Sequence, residues 1–116
     1  MRESELERIL VDEVRKAGGR AYKWVSPGND GVPDRIVFLP GGRVSLVELK
    51  TDKGKLSAQQ KIQINRLKNL GQDARVVRGL TGLAAFFYEA GCQDTASKLY
   101  RRSLHKEVMP DEVHTT

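Results

Sequence analysis

The chain reads as an α/β sandwich built around a mixed β-sheet. Three observations predict this: an amphipathic helical stripe opens the sequence, three β-prone segments separated by turn residues follow, and a capped helical segment leads into one more strand. The order is helix, three strands, helix, strand and two helices, without an internal repeat. At 116 residues, 30% of them charged, a single domain with a modest core is expected.

Leu6, Leu10, Val14 and Ala17 share one helical stripe, so Glu3 to Ala17 is a helix that Gly18-Gly19 ends. Arg20 to Val25 is a strand with Tyr22 and Trp24 on one face, and aromatics at strand spacing pack a core more often than they stack on bases. Ser26 to Gly31 is dense in turn residues and forms an exposed loop. A second strand begins near Asp34 and runs to Leu39. Pro40-Gly41-Gly42 is a hairpin turn, with proline presetting φ for a type I turn and glycine supplying the positive φ that follows. Arg43 to Lys50 is the return strand.

Ser57 caps a helix whose apolar positions Ile62, Ile64, Leu67 and Leu70 run to the Gly71 stop, and Asp73 to Arg78 is the fourth strand. Thr81 caps a short helix through Ala90. Asp94 caps the last one, with Ala96, Leu99, Tyr100, Leu104 and Val108 as its stripe, and Pro110 closes it before a short polar tail.

Twenty Lys and Arg against fifteen Asp and Glu give a net charge of +5, a balance suited to a polyanionic partner. The excess is local: Lys53 to Arg78 holds seven basic residues opposed only by Asp73. The single Cys92 excludes an intramolecular disulfide and a cysteine-based zinc site, which implies a reducing interior. The longest apolar stretch, Leu83 to Tyr88, falls far short of the roughly 20 residues that span a bilayer, so an intracellular protein without a membrane partner is expected.

Asp34, Glu48 and Lys50 carry the candidate chemistry. Two acids brought together hold a divalent cation, and an adjacent lysine holds a water or a phosphate oxygen, the minimum equipment for metal-assisted hydrolysis of nucleic acid. If the hairpin loop is the three residues Pro40-Gly41-Gly42, Leu39 faces Arg43 and Asp34 lies directly opposite Glu48. Opposed carboxylates destabilise a hairpin unless positive charge lies between them. A two-residue loop would offset the pair. Glu-x-Lys is also a common edge-strand pattern that discourages aggregation, and it is the register that joins Asp34 to it.

Strand alternation projects Glu48 and Lys50 together and leaves the Leu49 carbonyl available at a sheet end. Glu3 and Glu7 both lie near the inner stripe of the first helix; Glu3 is the chosen candidate, and either also suits the helix dipole. Gln60, with Gln59 competing, lies in the first turn of the second helix, within the sphere of a phosphate or a water, or simply in solvent. Lys53 and Lys55 flank Gly54 in a basic loop that grips a substrate backbone or is merely solvated. His105 and His114 have no matching partner motif.

These residues resemble the PD-(D/E)xK nuclease superfamily, and more closely the small stand-alone form of the virus-type replication-repair nuclease (VRR-NUC) domain. The resemblance runs from Glu3 to about Val77, on the strings Ser26-Pro27-Gly28, Gly31-Val32-Pro33-Asp34-Arg35, Leu39-Pro40-Gly41-Gly42-Arg43, Val47-Glu48-Leu49-Lys50 and Lys55-Leu56-Ser57 followed by Gln60. It implies a restriction-endonuclease-like αβββαβ core: residues 1–78 form the nuclease core, 79–108 a C-terminal helical extension of the same domain, and 109–116 the tail. It implies Glu3, Asp34 and Glu48 as acidic ligands of Mg²⁺ or Mn²⁺ assisted by the Leu49 carbonyl, Lys50 as the catalytic lysine and Gln60 as an accessory residue. Lys53 and Lys55 are the expected DNA-binding pair.

The expected activity is a metal-dependent endodeoxyribonuclease on branched DNA, of the Holliday-junction-resolving kind. The resemblance further implies a homodimer in the cytoplasm of a bacterial or phage-infected cell. The alternatives are a nuclease acting on linear duplex and a non-catalytic DNA-binding module that keeps the nuclease fold.

Overall fold

The computed structural model describes residues 1–115, with side chains described for residues 1–105. The chain divides into two compact units, Met1–Gly79 and Leu80–Thr116.

The first unit contains α1 (Glu3–Lys16), β1 (Arg20–Lys23), β2 (Arg35–Leu39), β3 (Arg43–Lys50), α2 (Ala58–Asn69) and β4 (Ala74–Arg78). One sheet holds the strands in the order β1-β2-β3-β4, antiparallel across the first two pairings and parallel across the third. This is the mixed α/β arrangement expected. β3 is paired on both edges, and Ser45 to Leu49 are buried one after another rather than alternately, as a strand covered on both faces requires. Helix α1 packs on β1 and β3 through Leu6, Leu10 and Val14, each fully buried, while α2 packs on β4. Leu46, Ile64 and Ala74 form the cluster beneath α2, with Trp24, Ile36, Leu56, Leu67 and Val76 against it.

Leu39 pairs with Arg43, so the loop does contain three residues. Its turn differs from the expected one: Gly41 has φ 88° and Gly42 φ 83°, so positive φ begins one residue early, as in a type II turn. β1 ends at Lys23 rather than Val25, although the Trp24 amide still donates to the Asp34 carbonyl at 3.0 Å. Tyr22 is not a core residue. It is 58% exposed and meets Phe38 edge-on at 6.0 Å, because Ala21 and Val37 take the buried face of that hairpin. Of the apolar positions of α2, only some are buried. Ile62 and Ile64 are two residues apart and cannot share a helix face, so Ile64 turns inward while Ile62 and Leu70 stay exposed.

The second unit holds α3 (Gly79–Glu89, its first residue shared with the first unit) and α4 (Gln93–Thr115). Helix α3 starts two residues before Thr81, and α4 one residue before Asp94, whose carboxylate therefore sits in the first turn and favours the helix dipole rather than capping. Helix α4 continues through Pro110, which was expected to close it. Interior proline removes its own amide donor and its ring crowds the carbonyl four residues back, which weakens or kinks a helix without always ending it. The buried line on α4 is Ala96, Leu99 and Ser103, leaving Tyr100 and Leu104 exposed at its flank; Val108 lies outside the described side chains. Phe86 and Phe87 meet edge-on at 5.3 Å. Cys92 is a free, half-buried thiol, and no helix among the described residues is long and apolar enough to cross a membrane.

Candidate functional site

Asp34 sits one residue before β2, where the strand pairing with β3 has just ended at Arg35 and Val47. Its side chain takes over the pairing: Asp34 Oδ2 accepts the Leu49 amide at 2.8 Å. This bond fixes the carboxylate beside the adjacent Glu48. Glu48 is 1% exposed, and its Oε2 accepts from Gln60 Nε2 at 3.0 Å and lies 3.8 Å from Lys50 Nζ. Alternation along β3 puts Glu48 and Lys50 on the sheet face that α2 covers.

Gln60 is held by its own helix. Ser57 Oγ accepts the Gln60 amide at 3.1 Å and Gln60 Oε1 accepts the Ser57 amide at 2.9 Å, a reciprocal capping box. The Gln60 amide group is thereby oriented, and its NH₂ has one direction left, toward Glu48. Gly31 brings the preceding loop onto the same helix turn. With φ 87° and the Gln59 backbone 2.6 Å from where a Cβ would stand, this close approach requires glycine.

Burial pushes the Glu48 carboxyl up to about 7, with the Asp34 charge adding to the rise and Lys50 opposing it. Burial also raises Asp34, against the lowering effect of the Leu49 amide; Glu7 and Glu3 add to the rise. Glu48 Oε1 is buried without a hydrogen-bond partner. A carboxylate pair with one oxygen unpartnered and both acids disfavoured as anions fits a hard divalent cation. The fit is partial, since no three His, Cys, Asp or Glu side chains among the described residues group so as to hold a metal by themselves. Backbone or water oxygens would have to complete the shell.

The VRR-NUC domain profile matches residues 2–80, which spans both acids, the lysine and the capping box. The chain belongs to the VRR-NUC domain family. Among relatives of this VRR-NUC chain, the p44 protein of Acyrthosiphon pisum secondary endosymbiont phage 1, whose name describes it as a nuclease, is 48% identical over 77 residues, 66% of this chain and 83% of that protein. A solved structure described as a VRR_NUC domain superposes with a TM-score of 0.63 at 23% identity, covering 85% of this chain and 94% of that one, and shares its fold. The first unit is therefore a VRR-NUC nuclease domain on a mixed four-stranded sheet.

Of the residues singled out from sequence, Asp34, Glu48, Lys50 and Gln60 converge, and the Leu49 peptide is fixed among them. Gln59 is exposed, and it is Gln60 that reaches Glu48. Glu7 is occupied by Arg35, whose Nε lies 2.7 Å from its Oε2. Glu3 is exposed and acts on Asp34 and Glu48 only through its charge. Lys53 and Lys55 are exposed, and their loop is anchored at Gly54, whose amide donates to the Thr51 carbonyl and whose carbonyl accepts from Arg78. Sequence reasoning did not find the Gly31 contact, the Arg35–Glu7 pair or the Arg78 anchor. The Ser57-x-x-Gln60 spacing was the one available signal for the capping box.

Proposed function

We propose that this domain is a Mg²⁺- or Mn²⁺-dependent endodeoxyribonuclease that hydrolyses phosphodiester bonds in branched DNA, four-way junctions above all, and works as a homodimer. The observation that carries the reading is the buried, incompletely partnered Glu48 carboxylate beside Asp34, with Lys50 and Gln60 on its other oxygen. The name of the phage p44 protein supports the reaction class, and its source supports action in the cytoplasm of a bacterial or phage-infected cell. Two equal sites in a symmetric dimer suit two strands of one junction, which supports the assembly.

In this reading Asp34 and Glu48 would hold the cation, with the Leu49 carbonyl and water as further oxygen donors, and Glu3 would add only its charge. When bound, the cation supplies Lewis acidity toward the phosphate and lowers the pKa of a water. Gln60 keeps Glu48 in one rotamer, so the acid does not reorganise during reaction. Lys50, with its ammonium anchored near Glu48 Oε2, orients the attacking water or neutralises charge developing on the phosphate. Lys53 and Lys55 grip the backbone of the DNA from the anchored loop.

Incubating the pure protein with four-way, flap and linear duplex DNA and Mn²⁺ tests the reading. Preferential cutting of the junction is expected; cutting of linear duplex alone overturns the substrate class, and binding without products overturns the enzyme. Lys50→Ala and Asp34→Asn should each lower cleavage by at least about 100-fold. Asp34→Asn keeps an acceptor for the Leu49 amide, so unfolding should move by no more than about 1 kcal/mol. Light scattering at working concentration should return twice the chain mass.

A further inference from the structure

A second site lies on the opposite side of the sheet edge. Helix α1 and edge strand β1 enclose a cleft of about 210 Å³ lined by Val11, Arg15, Arg20, Ala21, Tyr22 and Arg35. Three of these six residues are arginines, and none is acidic. Their states differ usefully. Arg35 is braced, its Nε on Glu7 at 2.7 Å and its Nη1 on the Ala21 carbonyl at 3.0 Å. Arg20 is exposed and donates through Nη1 to the Gly19 carbonyl at 2.7 Å, while Arg15 makes a loose, exposed pair with Asp12 at 3.9 Å.

One guanidinium braced by Glu7 and two adaptable ones, in a cleft whose lining holds no acid, have donors left for an anion, because the planar fork of arginine matches a phosphate with paired donors. Arg35 opens β2 and Asp34 directly precedes it, so alternation along the extended chain sends the two side chains to opposite faces of the sheet. Arg20 stands at the far end of β1, across from Phe38, on the order of 10 Å along the strand from the Asp34 end. A nucleic-acid strand passing over Asp34 and Glu48 can therefore continue round the β1 edge into the cleft.

We propose that the Arg15–Arg20–Arg35 cleft binds a backbone phosphate of the DNA strand whose scissile phosphate lies at Asp34 and Glu48. The assignment rests on the reading of DNA as substrate. It gives the arginines a positioning role in binding, remote from the chemistry.

The test measures DNA affinity of the full chain across salt concentrations in EDTA, so that cleavage does not enter. Arg15→Ala with Arg20→Ala should weaken binding roughly 10-fold and make the slope of log affinity on log salt shallower by about one to two. The matched pair Arg101→Ala with Arg102→Ala, on exposed positions of α4, should leave both nearly unchanged. An unchanged slope in the first pair, or an equal loss in the second, overturns the proposal. If the alanine pair does not fold, Arg15→Lys with Arg20→Lys carries the test: a roughly threefold loss of affinity supports the fork geometry, and wild-type affinity overturns it. Titrating inorganic phosphate against the arginine Nε–H signals separates the sources. Saturation by phosphate with no response to DNA would make this a small-anion site and overturn the strand assignment. A wild type that binds with the expected slope but cuts nothing overturns the nuclease reading and leaves the cleft standing.

Discussion

A buried carboxyl with an unpartnered oxygen holds either a proton or a cation. In metal-free protein Glu48, pushed up to about 7 from an ordinary 4.5, keeps its proton in the folded chain while the unfolded chain has lost it. Folding stability should therefore fall as pH rises from about 4.5 toward 7 and level off above, by up to about 3 kcal/mol. Glu48→Gln, which removes the titration, should flatten that part of the profile in urea unfolding with EDTA; a profile that keeps its slope would assign the effect elsewhere. At this scale much of the site was legible. The three-residue loop fixed the register that sets Asp34 beside Glu48, and alternation aligned Lys50 with Glu48. The choice between Glu3 and Glu7 was not legible, because it depends on Arg35 crossing from β2 to α1, and no local pattern encodes that pair.

Helix α2 is the element on which the site leans. Its capping box and its contact with Glu48 use the same Gln60 side chain, so Ser57→Ala should cost about 1 kcal/mol in stability and also reduce kcat several-fold. A loss of stability with unchanged kcat would separate the cap from the site. Gly31 and Gly41 offer a paired comparison. Both have φ near 90°, but a Cβ at Gly31 meets the Gln59 backbone while one at Gly41 meets open space. Gly41→Ala should cost about 1 kcal/mol from backbone strain alone, whereas Gly31→Ala should cost roughly 2–4 kcal/mol and displace the Asp34 loop from α2. Equal losses in thermal unfolding would remove the packing argument. Strand and helix order were legible from periodicity and turn residues, and so was β3 from Arg43 to Lys50. Tyr22, Tyr100 and Leu104 were misread as inward-facing because apolar character gives no information on which face the neighbouring elements cover.

At the scale of the whole molecule, the profile match and both acids fall in the first unit, while α3 and α4 lie beyond it except for the opening of α3. The charge pattern did foretell a basic segment, but it did not foretell the arginine cleft, since Arg15, Arg20 and Arg35 are spread along the sequence and meet only when α1 closes on β1. Hydrogen exchange should find the slowest amides of the first unit in Ser45 to Leu49 and fast ones in Lys53 to Lys55. The central position of β3 has a further consequence. Glu48 and the Leu49 amide that holds Asp34 belong to this central strand, so on that side the acid pair is tied to the sheet and not to a loop. Heat should abolish cutting only as the unit itself melts, and a partly frayed domain would remain an armed one.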